Sequence, residues 1–140
     1  MKDRPRFHLA FPVYDLGEAR AFYRDFLGCR EGRSTNEWVD FDFFGHQIVA
    51  HLSPAAARDN AHNCVDGDAV PVRHFGVVLS LAEWHELAQR LAAKGARFLI
   101  GPTVRFRGQP GEQATMFVQD PSGNALEFKA FARDSMVFET

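Results

Sequence analysis

Apolar and polar residues alternate with a period of two in several short stretches of the chain, and apolar residues at helical spacing follow two of them. The stretch Phe7–Val13 alternates in this way, which predicts a strand. Asp15 then begins a capping-box pattern, and apolar residues at helical spacing predict a helix from Leu16 that ends at Gly28. Three further predicted strands complete this half: Cys29–Arg33, Glu37–Phe43 and His46–Leu52.

The same order of elements occurs a second time. Arg73–Leu79 alternates as a strand, and a second capping box at Ser80 begins a helix that ends at Gly95. Ala96–Ile100 and a hairpin over residues 113–131 supply three more strands, and the turn of the hairpin is Asp120–Asn124. We therefore predict an α+β fold of two βαβββ modules whose curved mixed sheets form a cleft.

The length of 140 residues favours a single domain. Module one is expected at about 6–52 and module two at about 72–131. The connecting linker at 53–70 has no periodicity, and a second stretch at 101–111 is also expected to be irregular. Its Arg105 and Arg107, like Arg73, are expected at the surface.

Composition excludes several classes of function. The chain is 46% hydrophobic and 24% charged, which is typical of a folded globular protein, and its net charge of −2 with no basic stripe argues against nucleic acid binding. No secretory signal and no apolar run long enough to span a bilayer is present, so a cytoplasmic location without membrane partners is expected. Cys29 and Cys64 form no disulfide or metal-ligand pattern, and Cys29 is expected to be buried.

Strand alternation places four polar side chains opposite the faces that would meet the helices. They are His8, His51, His74 and Glu127. A carboxylate among Leu126 and Phe128 needs a cation or a hydrogen-bonding partner, because an unpaired buried charge is costly. Two histidines and one carboxylate are the facial ligand set of Fe(II) and related metals, whereas the alternative is four ordinary polar residues hydrogen-bonded to backbone.

The other histidines have no predicted chemical role. His46 is expected at a turn, His85 on the solvent face of the second helix and His62 in the linker, which makes His62 the one of the three that can reach a site. Trp84 is expected in the core. Phe41, Phe43 and Phe117 could line an apolar pocket together with Trp38, although alternation places Trp38 opposite Phe41 and Phe43.

The segments FHLAFPVYDLGEARAFYRDFLGC, HFGVVL and FVQDPSGNALEFKAF resemble the vicinal oxygen chelate superfamily, which groups glyoxalase I, type I extradiol dioxygenases, fosfomycin-resistance enzymes and bleomycin-binding proteins. The resemblance covers Phe7 to Phe131 and is strongest to the branch of predicted extradiol-type dioxygenases. It implies a homodimer that binds a divalent metal through His8, His74 and Glu127. Fe(II) is the first expectation, with Ni, Zn or Mn as alternatives.

The resemblance also implies a position for His51, which falls where glyoxalase I has an additional glutamate ligand and where extradiol dioxygenases have an acid–base histidine. The expected function is therefore a metal-dependent, dioxygenase-like oxidoreductase that acts on a small catechol-like substrate with two neighbouring oxygens. The strand before the DPSGN turn carries Thr115-Met116-Phe117-Val118 where those dioxygenases usually have a tyrosine, which argues against ring cleavage. The alternatives are a glyoxalase-like lyase or isomerase and a metal-free drug-binding protein.

Overall fold

The computed structural model describes residues 4–58, 67–109 and 111–139, and for residues 62–65 it describes the backbone alone. This part of the chain forms two compact units. The first consists of the described part of Met1–Asp59 together with Asp120–Asn124. The second consists of the described parts of Asn60–Gln119 and Ala125–Thr140.

The first unit contains a mixed four-stranded sheet in the order β1-β4-β3-β2. Its strands are β1 (His8–Val13), β2 (Arg30–Ser34), β3 (Trp38–Phe43) and β4 (His46–Leu52). β1 runs parallel to β4, and the other neighbours are antiparallel. The buried side chains of Tyr23, Phe41 and Ile48 form part of its core.

The helix of the first unit begins where the sequence predicts but changes its hydrogen-bonding pattern. Asp15 caps α1 (Leu16–Arg20) by accepting a hydrogen bond from the amide of Glu18. The helix then continues as a π-helical segment, Ala21–Phe26, which the apolar spacing did not predict. Gly28 ends it with a φ of 83°, a conformation that glycine adopts without strain.

The second unit repeats this architecture with the strand order β7-β10-β9-β8. Its strands are β7 (His74–Leu79), β8 (Phe98–Arg105), β9 (Gln113–Gln119) and β10 (Ala125–Ala130), and β7 is parallel to β10. Helix α3 (Leu81–Ala93) begins with the predicted Ser80–Glu83 capping box. Trp84 is buried on this helix and donates a hydrogen bond to the carbonyl of Phe128. The predicted pair of βαβββ modules is thus confirmed as two mixed sheets of one α+β fold.

The two stretches predicted to be irregular contain regular structure. The linker forms α2 (Pro54–Ala57) and a hairpin of β5 (His62–Val65) and β6 (Asp68–Pro71). Gly67 turns this hairpin with a φ of 84°, and Val70 is buried, so a turn residue and one apolar anchor replace the missing periodicity. Strand β8 likewise extends through 101–105.

At the ends of strands, three residues differ in burial from what the sequence pattern indicates. Arg105, predicted at the surface, is 3% exposed because its guanidinium binds the carboxylate of Asp68 at 2.7 Å. Phe7 and Leu52 alternate with the buried Phe11 and Ile48 but are 62% and 43% exposed, since Phe7 precedes β1 and Leu52 is the last residue of β4. Cys29 is buried as predicted, whereas the side chains of His62 and Cys64 lie outside the described residues.

No helix among the described residues combines the length and apolar character needed to cross a membrane.

Candidate metal centre

His74 and Glu127 face each other in the second unit, on the neighbouring parallel strands β7 and β10. His74 pairs with Ala125 in the strand register, so Glu127 lies one alternation step further along β10 on the same face. Nε2 of His74 is 3.3 Å from Oε1 of Glu127. The two side chains are 30% and 13% exposed, so the pair is partly shielded from water.

The imidazole of His74 is held at its other nitrogen. Nδ1 lies 2.6 Å from the carbonyl oxygen of Pro71, and because a carbonyl can only accept, Nδ1 must carry a hydrogen. The ring of Phe117 contacts the imidazole edge-on, with centroids 5.1 Å apart. In its neutral form His74 therefore directs the Nε2 lone pair toward Glu127.

Glu127 is held by a second donor. The hydroxyl of Thr115, on β9, donates a hydrogen bond of 2.6 Å to Oε2. Burial alone would raise the pKa of Glu127, but the hydrogen bonds from His74 and Thr115, with the charge of Lys129, together lower it. The same hydrogen bond to Glu127 raises the pKa of His74 against the opposing effect of burial. Both shifts favour the charged pair, a protonated imidazole beside an ionised carboxylate.

Gly76 brings β7 close to the backbone of Glu127. The two residues are register partners, and a Cβ added at position 76 would lie 1.5 Å from the carbonyl oxygen of Glu127. No side chain larger than hydrogen fits there unless the strands move apart. This glycine therefore permits the strand spacing at which His74 meets Glu127.

His8 lies in the first unit, at the start of β1, and its ring is also held at Nδ1. Nδ1 is 2.8 Å from the side-chain oxygen of Gln47 on β4, and the amide nitrogen of Gln47 donates to Asp40 at 3.2 Å. Among the described residues no three side chains of His, Cys, Asp or Glu are grouped closely enough to hold a metal. The structure thus brings together two of the sequence-predicted ligands, His74 and Glu127.

His51 and Glu127 each lie on a strand next to a first strand of their sheet, but the strand registers show that they are not equivalent positions. His8 pairs with Gln47, whereas His74 pairs with Ala125, so the position equivalent to Glu127 in the first sheet is Val49. His51 is exposed and lies four residues beyond Gln47, roughly 13 Å along the strand at the usual rise per residue.

Comparisons with known proteins give the family. The family model described as "Glyoxalase/Bleomycin resistance protein/Dioxygenase superfamily" matches residues 7–128. The chain belongs to this superfamily. A crystal structure of a glyoxalase/bleomycin resistance protein/dioxygenase from Alicyclobacillus acidocaldarius is 35% identical, covers 99% of this chain and 100% of its own, and has a TM-score of 0.84. A comparison with curated protein sequences found no match.

Two more distant structures share the superfamily fold. A genomically encoded fosfomycin resistance protein from Listeria monocytogenes is 18% identical, with a TM-score of 0.68 and coverage of 96% of this chain and 98% of its own. A lactoylglutathione lyase from Agrobacterium tumefaciens is 20% identical, with a TM-score of 0.63 and coverage of 94% and 97%. At these identities the likeness concerns the fold, which serves different chemistries in the two relatives.

The aromatic residues predicted to line an apolar pocket in this glyoxalase-superfamily chain belong to both units. Phe41 and Phe43 are buried in the first unit, where Phe41 contacts Tyr23 with centroids 5.3 Å apart. Phe117 is the member that reaches the His74–Glu127 pair, and it is itself buried with Val70 and Ala125. A cavity of about 430 Å³ at His8 has a mixed polar and apolar lining, which includes Gln47, Asp40 and Phe41.

The sequence patterns missed the residues that hold the two histidines. Pro71 binds through its backbone, and no side-chain pattern marks it. Gln47 and Asp40 could be placed on the His8 face only once the register between β1, β4 and β3 was known. In the sequence, Thr115 belongs only to a stretch without the tyrosine of the dioxygenases, whereas its hydroxyl is the donor that orients Glu127.

Proposed function

We propose that this protein is a metal-dependent enzyme of the vicinal oxygen chelate type, in which His74 and Glu127 hold a divalent ion. His8 is the proposed third ligand, as the resemblance implies, which completes the two-histidine, one-carboxylate set suited to Fe(II). The proposed substrate is a small molecule with two neighbouring oxygens, and the proposed reaction is dioxygenase-like oxidation.

The observation that carries the proposal is the pairing of two electron-pair donors across 3.3 Å. Pro71 fixes the hydrogen of His74 on Nδ1, so Nε2 and the carboxylate oxygen of Glu127 repel each other unless a cation lies between them. A neutral imidazole that donates its other N–H to a carbonyl is the usual arrangement of a metal-ligating histidine. The donor set therefore fits a divalent ion.

A bound divalent ion would act as a Lewis acid, lowering the pKa of substrate hydroxyls and stabilising negative charge that develops on the substrate oxygens. The chain itself supplies the orientation. Thr115 retains Oε2 of Glu127 so that Oε1 stays directed toward His74, and Phe117 limits rotation of the imidazole. His51, being exposed and well separated from His8 along the sheet, is proposed to move a proton at its imidazole rather than to bind the ion.

A glyoxalase-like lyase or isomerase is the second candidate. The strand that usually carries a tyrosine in the dioxygenases has none at 115–118 of this chain, and the hydroxyl of Thr115 in that stretch is already committed to Glu127. That hydroxyl is therefore not available to assist ring cleavage, whereas enediolate stabilisation by a metal does not require it. Oxygen uptake with catechols would support the dioxygenase, and turnover of a thiol adduct of a 2-oxoaldehyde would support the lyase.

The test is metal content after purification without chelators. We expect a stoichiometric divalent ion in the wild type. In His74→Ala and Glu127→Gln the metal content should be at least about tenfold lower, because each substitution removes a donor atom. His8→Ala should lose metal similarly, whereas His51→Ala should retain it and lower turnover. His85→Ala and Glu86→Gln, which alter exposed residues of α3, are the matched controls.

Two results would contradict the proposal. Wild-type protein without a divalent ion, even after incubation with Fe(II), Ni²⁺, Zn²⁺ and Mn²⁺ in turn, would favour the metal-free binding protein. Equal metal loss in His51→Ala and His74→Ala would make His51 a ligand.

A further inference from the structure

We infer that Gln47 and Asp40 are positioning residues that fix the tautomer of His8 and leave its Nε2 as the ligating atom. The inference rests on the proposed function only for the use of that nitrogen. The tautomer itself follows from the hydrogen bonds of the first unit and can be measured without any metal.

Asp40 determines the orientation of the Gln47 amide. Its side chain is on β3 and only 8% of the residue is exposed, and a carboxylate has no hydrogen to donate. The group of Gln47 that faces Asp40 at 3.2 Å must therefore be the NH₂ donor. The amide oxygen of Gln47 is consequently the atom that faces His8.

The orientation of Gln47 in turn determines the tautomer of His8. The amide oxygen lies 2.8 Å from Nδ1 and can only accept, so Nδ1 must carry the hydrogen. In the neutral ring the lone pair is then on Nε2. Because the buried carboxylate of Asp40 can only accept, a chain of two hydrogen bonds fixes which ring nitrogen of the exposed His8 carries the hydrogen.

Two comparisons within the molecule support this assignment. His74, at the equivalent position of the second sheet, has its Nδ1 held by the Pro71 carbonyl, so both proposed ligands share one tautomer by different means. His46 shows the opposite case. Its Nδ1 accepts a hydrogen bond from the backbone amide of Phe7 at 3.0 Å, which places the lone pair on Nδ1 in a residue with no proposed role.

The first measurement is the ¹⁵N spectrum of histidine-labelled, metal-free protein at a pH where the imidazoles are neutral. In the wild type we expect His8 to be protonated at Nδ1. In Asp40→Asn the side-chain amide can present either group to Gln47, so the amide of Gln47 is free to rotate and the tautomers of His8 should become mixed. Gln47→Leu removes the acceptor altogether and should give the distribution of a free imidazole.

Asp42→Asn is the matched control. Asp42 lies on the same face of β3, is the register partner of Gln47 and binds the amide of Gly45 rather than Gln47. The substitution changes the local charge as Asp40→Asn does, but leaves the hydrogen-bond chain intact, so the tautomer of His8 should stay as in the wild type. An equal response in both variants, or a wild-type His8 protonated at Nε2, would overturn the inference.

The second measurement is Zn²⁺ affinity, which separates this inference from the proposed function. Loss of the group that orients a ligand typically lowers metal affinity about 10-fold to 100-fold, and we expect that loss in Gln47→Leu and Asp40→Asn but not in Asp42→Asn. If the tautomer of His8 changes in the variants as expected but the wild type binds no metal, the proposed function fails and the positioning role of Asp40 and Gln47 stands. If metal binds but the tautomer of His8 does not change in the variants, the positioning role is wrong.

Discussion

At the scale of single residues, the buried carboxylate of Asp120, in the turn between β9 and β10, binds several groups of the first unit. Asp120 is 5% exposed and accepts hydrogen bonds from the Tyr23 hydroxyl at 2.7 Å, from the Asn124 side chain and from two backbone amides. Ser122 and Asn124 bind the backbone of Tyr14 and Pro12 in the same unit. The turn that the sequence marks by DPSGN therefore reverses the chain and also forms hydrogen bonds within the first unit.

Tyr23→Phe should destabilise the protein by about 1.5–3 kcal/mol, because it removes a buried hydrogen bond to a charged acceptor. Tyr14→Phe is the control, since Tyr14 is 37% exposed. The free energy of unfolding in urea, measured for both variants, checks the prediction. Equal stability of the two variants would contradict the role of the Tyr23 hydroxyl.

The hydrogen bond between Tyr23 and Asp120 also predicts a pH dependence of stability. Burial raises the pKa of Asp120, although its hydrogen bonds with Asn124 and Tyr23 partly oppose the shift. The folded protein therefore binds a proton more readily than the unfolded chain, and this contribution to stability is lost as pH rises through the raised pKa. Tyr23→Phe removes one of the opposing bonds, so its deficit relative to the wild type should grow from acid to neutral pH. A deficit that shrinks over this range would contradict the assignment.

At the scale of elements, the sequence predicted most strands and both helices that begin with a side-chain cap, because alternation and caps are local signals. It did not predict the β5–β6 hairpin or the extension of β8, where turn glycines and single buried residues replace periodicity. It also gave no position for His51 along the sheet, because alternation gives the face of a side chain whereas only inter-strand hydrogen bonding gives its position along the strand.

Gly76→Ala tests how closely β7 and β10 must approach. The new methyl group would overlap the backbone of Glu127, and we expect a loss of about 2–4 kcal/mol in stability together with weaker metal retention. Gly101→Ala is the matched control, because a Cβ at that position meets nothing within 4 Å. Urea unfolding and metal analysis of both variants provide the measurement, and a Gly76→Ala protein as stable and as metal-rich as Gly101→Ala would refute the constraint.

At the scale of the whole molecule, the repeat visible in the sequence accounts for the fold, and the superfamily assignment agrees with it. The chemistry is less determined, because relatives with this fold include a fosfomycin resistance protein and a lactoylglutathione lyase. That His74 and Glu127 share one face of their sheet was predictable, because each lies on an alternating strand beside apolar neighbours. Their orienting partners, Pro71 and Thr115, were not, because backbone carbonyls and short hydroxyls leave no distinctive pattern.

The account depends on a divalent ion occupying the gap between His74 and Glu127. The most direct measurement is a Zn²⁺ titration of ¹⁵N-histidine-labelled protein, followed at the two ring nitrogens of His74. We predict that stoichiometric Zn²⁺ shifts Nε2 of His74 to a metal-bound value while Nδ1 keeps its hydrogen, and that Glu127→Gln, but not Glu86→Gln, weakens the response. A His74 ring that does not respond to stoichiometric Zn²⁺ would contradict the central claim.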